Sequence, residues 1–154
     1  MDICLHCAEI VATKSFCAFC FFSFTHVFMK RVLFKIEFLV RTSPKILYHF
    51  LTTPSCLVRW FCEDCDVSGI EFTFIWEGDE QKAILTEDFE EELLRFEWED
   101  APAPNEYLEF KISQAPITSE TVLTITDFCE VKEVEDMKKL WTSQVKQLQQ
   151  EMGC

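Results

Sequence analysis

The chain has 154 residues, with 27 Asp+Glu against 14 Lys+Arg and a formal net charge of −13. Such a chain repels phosphate backbones and anionic lipid, which argues against nucleic-acid or membrane-surface binding. Hydrophobic residues at 49% and charged residues at 27% describe one globular domain with its own core, three scattered glycines exclude a Gly-rich phosphate loop, and three histidines (His6, His26, His49) argue against a His-rich metal site.

Residues 1–28 differ from the rest: 19 of 28 are apolar, and six of the 16 phenylalanines and four of the nine cysteines fall here. A secretory signal would need a basic start and a small-residue cleavage site, which Asp2 and the bulky Phe19–Phe24 stretch do not offer. A membrane span would need about 20 apolar residues, but Glu9, Lys14 and Ser15 interrupt the run. Cys4-x-x-Cys7 and Cys17-x-x-Cys20 have the spacing of two thiolate pairs in a zinc site, yet their separation is short and no glycine supports the turns. The favoured reading is that residues 1–28 are upstream sequence, mistranslated from a wrong start or disordered, ahead of a true start at Met29, with the domain spanning 29–152. No metal and no cofactor is expected.

From residue 30 the patterning is regular. Residues 30–41 alternate, with Val32, Phe34, Ile36, Phe38 and Val40 on one face, which predicts a half-buried strand. Ser43-Pro44 is an N-cap followed by a first-turn proline and predicts a short helix carrying Ile46, Leu47 and Phe50. Thr53-Pro54 restarts a second one over Ser55–Phe61. Strands are then predicted at Glu71–Trp76, Gln81–Phe89, Leu93–Glu99, Tyr107–Ser113 and Glu120–Phe128, with a Gly78-Asp79 hairpin turn after the first. From Glu133 the period lengthens: Val134, Met137, Leu140, Trp141, Val145, Leu148 and Met152 make one face of a long helix. A one-faced antiparallel sheet must cover its apolar side, and this helix is the obvious cover. The class is α+β.

Three stretches carry a resemblance. Thr52-Thr53-Pro54-Ser55-Cys56-Leu57-Val58-Arg59-Trp60-Phe61 is similar to the T-x-P-x-x-L-x-x-W-F turn between the two short helices of START-like domains related to the heat-shock-protein-90 ATPase activator. Phe72–Trp76 with Leu94–Trp98, and Thr124–Phe128 before Leu140-Trp141, complete it. The chain from about Met29 to Met152 resembles the START-like (SRPBCC, helix-grip, Bet v 1-like) superfamily, in particular a small family of Bacteroidetes-type genomes. The resemblance implies a curved antiparallel sheet around a long C-terminal helix. It does not choose among lipid carriers, cyclases, receptors and cochaperone domains.

Candidate chemistry is sparse. Cys62-Glu63-Asp64-Cys65 is a third C-x-x-C, but it follows a helix and lies among acids that raise thiol pKa, so two ordinary thiols in a reducing cytoplasm are expected. On strand parity Asp127 points inward, where it would bind a ligand's polar head, act as acid or base, or cap the junction with the last helix. Glu90–Glu92 and Glu97–Asp100 read as solvated strand ends, and His49 has no partner in sequence. Phe72, Phe74, Trp76, Phe96, Trp98, Phe110 and Trp141 read either as core or as the lining of an apolar pocket. The first expectation is a non-enzymatic domain holding a small hydrophobic ligand between sheet and helix, with Phe74, Trp76, Phe96, Trp98, Phe110 and Trp141 as walls and Asp127 or Arg95 as anchor. The alternative is a cochaperone-like interaction module that puts an acidic surface on a basic partner, with a protein partner or a homodimer as its assembly; the third is a cyclase-like enzyme. A filled core would favour the alternative.

Overall fold

A computed structural model describes residues 30–154. The first strand, β1 (Arg31–Val40), leads into α1 (Pro44–Thr52) and α2 (Pro54–Leu57). Ser43 caps α1 by accepting the Ile46 N–H at 3.3 Å, and Pro44 and Pro54 sit where a helical N–H has no partner to lose. Six strands follow: β2 (Asp64–Ser68), β3 (Glu71–Trp76), β4 (Asp79–Phe89), β5 (Leu93–Trp98), β6 (Leu108–Gln114) and β7 (Thr121–Glu130). A single 3-10 turn, Val131–Glu133, opens the 19-residue α3 (Val134–Met152). Gly153 closes α3 in the left-handed conformation, its N–H returned to the Gln149 and Gln150 carbonyls.

The strands form one antiparallel sheet in the order β1-β7-β6-β5-β4-β3-β2, so β1 and β2 are its edges. Alternation sends Phe34 and Val40, Phe72, Phe74 and Trp76, Leu94 and Phe96, Leu108, Phe110 and Ile112, and Leu123 and Ile125 to the inner face, where all are buried. α3 lies on this face through Met137, Trp141, Val145 and Leu148. Its C-terminal half is fastened by two glutamines. Gln149 Nε2 donates to the Leu39 carbonyl of edge strand β1 at 2.8 Å, and Gln147 Nε2 donates to the Arg59 carbonyl after α2 at 2.6 Å. α3 thereby ties the β1 edge to the connection that leads into the other edge.

Three local readings are corrected, and a fourth feature is added. The second helix is one turn, Pro54–Leu57, and residues 58–61 are turn. β2 is an addition to the predicted strands: only Cys65 and Val67 turn inward, between Asp64, Asp66 and Ser68. The β3–β4 turn is Glu77-Gly78, both at positive φ (51° and 86°), and Asp79 already pairs with Trp76. Within β4 the register against β5 shifts between Leu85 and Glu87, so Thr86 is an extra residue that interrupts the alternation of the strand.

Candidate functional site

The inner face gathers the predicted aromatic residues as a stack of rings. Phe61 lies against Phe74 at 5.1 Å between centroids, Trp76 at 5.3 Å and Trp141 at 6.1 Å. Phe110 meets Trp141 edge to face at 5.8 Å, and Phe96 meets Phe72 in the same way at 5.1 Å. Trp98 packs on Phe74 at 5.8 Å. Separations of 4.5–7 Å are those of rings in contact. Trp141 is fully buried and Phe74, Phe96 and Phe110 nearly so. Phe61, which the sequence pattern places only in the second short helix, is the hub of this cluster.

Asp127 faces inward at the junction of β7 with α3. Both carboxylate oxygens are engaged: Oδ1 accepts the Phe128 N–H at 2.8 Å and Oδ2 accepts the Trp141 indole N–H at 3.1 Å. Burial pushes its pKa up to about 6, against the two hydrogen bonds and the Arg31 charge, which favour the ionised form. Of its expected roles the geometry matches the junction cap, with the indole of α3 as an added partner. Arg95, the other expected anchor, lies on the opposite face of the sheet and is bound by Glu87 and Glu109. His49 shares a 3.0 Å contact with Thr53 one helical turn away.

The outer face of the sheet carries a row of polar residues that the sequence pattern does not single out. The register places Glu87, Arg95, Glu109 and Thr126 side by side across β4, β5, β6 and β7. Arg95 bridges Glu87 and Glu109, stacks 4.5 Å over the Tyr107 ring, and Thr126 Oγ1 reaches Glu109 Oε1 at 3.4 Å. Beside it, Arg31 grips Glu106 through two bonds of 2.5 and 2.8 Å. Alternation already sends these side chains outward. The bulge at Thr86 and the loop over 99–107 hide which of them become neighbours.

Charge is distributed unevenly. Residues 63–100, from the approach to β2 to the end of the β4–β5 hairpin, hold 15 Asp+Glu against Lys82 and Arg95, a net −13 equal to that of the whole chain. Thirteen of these acids are exposed and two, Glu87 and Glu91, half-buried. At the tip of the β4–β5 hairpin, Glu90–Glu92 and the exposed Phe89 border an open groove of about 630 Å³ that runs to Pro44 and Lys111–Gln114. A second hollow, beside Gln81, Lys82, Trp98 and Asp100, has a volume of about 20 Å³, room for about one water. Neither of these opens between the sheet and α3.

Cys62 is buried and Cys65 half-buried, and both are free thiols. The neighbouring Cys65, then burial, push the Cys62 thiol up; the neighbouring Cys62 holds the Cys65 thiol below its ordinary value, against burial and the Asp64 and Asp66 charges. Among the described residues no three His, Cys, Asp or Glu side chains gather as a metal site, and no helix is long and apolar enough to cross a membrane. The Cys4/Cys7 and Cys17/Cys20 pairs and the expected start at Met29 lie outside the described residues.

A sheet of this order, interrupted after its first strand by two short helices and closed by a long C-terminal helix on its inner face, defines a helix-grip domain. The family model described as a START-like superfamily domain matches residues 28–154. The chain therefore belongs to the START-like superfamily. Among solved structures it is similar to BfR322 of Bacteroides fragilis at 33% identity, covering 80% of this chain and 93% of that one, with a TM-score of 0.59. The Aha1 dimer of Colwellia psychrerythraea is 16% identical over 77% of this chain and 93% of that one, with a TM-score of 0.65. MLL2253 of Mesorhizobium loti is 17% identical over 80% and 97%, with a TM-score of 0.63. At those lower identities the likeness is one of fold. No curated protein matches the chain.

Proposed function

We propose that this START-like domain is a non-catalytic interaction module that presents its acidic β2–β5 hairpins to a basic segment of a protein partner. The observation that carries the reading is the confinement of the whole net charge of −13 to residues 63–100. Exposed charge of one sign steers a partner of the other sign and repels a second copy of the same face. The groove at the β4–β5 tip adds apolar Phe89 and Leu93 beside Glu90, Glu91 and Glu92. The ring contacts between sheet and α3 support the same reading, because an apolar ligand there would have to part Trp141 from Phe61 and Phe110. Both oxygens of Asp127 are occupied by donors, which weighs against a role as catalytic base. The similar fold of Colwellia psychrerythraea Aha1 is a dimer; that likeness supports an interaction role only as an analogy of fold.

The test is fluorescence anisotropy with a labelled lysine-rich peptide and a glutamine-for-lysine control. The lysine peptide is expected to bind, with an affinity that falls at least about tenfold between roughly 50 and 200 mM salt. Glu90→Gln, Glu91→Gln and Glu92→Gln together should weaken it further, while the control peptide stays unbound. Equal binding of the two peptides, or stoichiometric uptake of a neutral apolar dye such as Nile red by the folded chain, would overturn the reading in favour of an apolar-ligand carrier.

A further inference from the structure

We infer that a second copy of this chain pairs with edge strand β1, antiparallel and about a two-fold axis at Ile36, so that the two sheets become one. The inference is independent of the partner proposed above, because β1 and the acidic strands begin from opposite edges of the sheet order. It starts from the sequence. Residues 31–41 read RVLFKIEFLVR, the same from both ends except that Lys35 answers Glu37. Two antiparallel copies centred on Ile36 therefore set Leu33 opposite Leu39, Phe34 opposite Phe38 and Lys35 opposite Glu37, each pair occurring twice by symmetry. Arg31 and Arg41 meet with like charge, but Glu106 already binds Arg31.

The backbone of β1 is set for the same register. In an antiparallel ladder, alternate residues turn both backbone groups toward the same neighbour. The Lys30 carbonyl receives the Val131 N–H at 3.1 Å on the β7 side, whereas the Leu39 carbonyl receives Gln149 of α3 at 2.8 Å. Even-numbered residues of β1 are thus bonded to β7, and Leu33, Lys35 and Glu37 turn their N–H and C=O groups to the open edge. Pairing about Ile36 sets odd-numbered residues opposite odd-numbered ones, as the exchange of those groups requires. Gln149 takes one lone pair of the Leu39 carbonyl and leaves the other.

The side chains agree. On the outer face Leu33 is 44% and Leu39 58% exposed, and on the inner face Ile36 and Phe38 are only half-buried. Lys35 and Glu37 are exposed, and no ion pair of the described residues includes either. The opposite edge is built differently: β2 has five residues and exposes Asp64 and Asp66, features that deter strand pairing. β1 runs ten residues without proline, glycine or bulge. Charge also selects the register. The smallest slip that keeps both faces, two residues, sets Lys35 opposite Lys35 or Glu37 opposite Glu37.

The experiment is sedimentation velocity of the full chain over roughly 1–200 µM, where a monomer–dimer equilibrium is expected. Lys35→Glu and Glu37→Lys each place like charges in both symmetric pairs, and each should weaken the dimer at least about tenfold. The double variant restores opposite charges and should return to within about threefold of the parent. An equal mixture of the two single variants should form the heterodimer in preference to either homodimer. Circular dichroism checks that these exposed substitutions leave the fold intact. A chain that stays monomeric throughout would overturn the proposal, as it must if the chain's own residues 1–29 occupy the edge. So would a dimer indifferent to both single variants, or a double variant as weak as the single ones.

Discussion

Strands β2–β5 and the rest of the sheet are built on the same alternation, yet they handle charge in opposite ways. Between residues 63 and 100, 15 acids face only Lys82 and Arg95. The residues outside that stretch hold equal numbers of acidic and basic side chains, and the charges most buried there are matched: Arg31 to Glu106, and Glu109 to Arg95 across the strand boundary. Isolated exposed ion pairs add little to stability, but partly buried, hydrogen-bonded ones cost much when broken. The contrast therefore separates a half whose buried charges are matched from a half whose exposed acids far outnumber its bases.

The largest expected effect lies on the packed side. Trp141→Ala removes the ring that meets Phe61 and Phe110 and leaves the Asp127 carboxylate without its indole donor. A loss of about 3–5 kcal/mol is expected in urea unfolding followed by circular dichroism. Discrimination between the lysine peptide and its glutamine control should not change where the variant remains folded.

Asp127 comes next. Its pKa is raised in the folded state from 3.8 to about 6, so the native chain holds this proton to higher pH than the unfolded chain does. The contribution of this group to stability is therefore greatest below pH 3.8 and is lost as pH rises through about 6. A shift of this size corresponds to something on the order of 2–3 kcal/mol. Asp127→Asn should erase that part of the stability difference between pH 7 and pH 5. An unchanged pH profile in the variant would show that the group titrates normally.

Smaller effects sharpen the comparison directly. Glu109→Gln should destabilise by about 1–3 kcal/mol, because it leaves Arg95 one partner short in a partly buried row. Glu80→Gln, an exposed acid of the other half, should change stability by less than about 0.5 kcal/mol in either direction. Equal losses at the two sites would dissolve the distinction. Smallest is Glu91→Gly at the β4–β5 tip. Glu91 has φ +63°, a conformation glycine adopts without strain, so a gain of up to about 1 kcal/mol in thermal unfolding is expected.

How far the sequence discloses this molecule follows from what each pattern must satisfy. β1, β3, β5, β6 and β7 are legible because each must put large apolar residues on a single face, as Phe72, Phe74 and Trp76 do. β2 is not, because an edge strand with two inward residues needs little hydrophobicity. The inward direction of Asp127 follows from parity, but its partner Trp141 comes from another element and depends on where α3 lands. Whether rings at strand spacing interdigitate or line a void depends on the distance between sheet and helix, which alternation does not encode. The segregation of charge is countable in the sequence, yet it acquires meaning only when residues 63–100 are seen to form consecutive strands, β2–β5, at one end of the sheet order.

The central claim is that the interior is closed by its own rings and that recognition lies outside, on the acidic hairpins. Native mass spectrometry of the full chain, expressed in its source cells and purified without detergent, tests it most directly. The expected result is the mass of the chain without a lipophilic adduct. A stoichiometric lipophilic adduct that survives desalting and is lost on denaturation would contradict the claim and place a ligand between the sheet and α3.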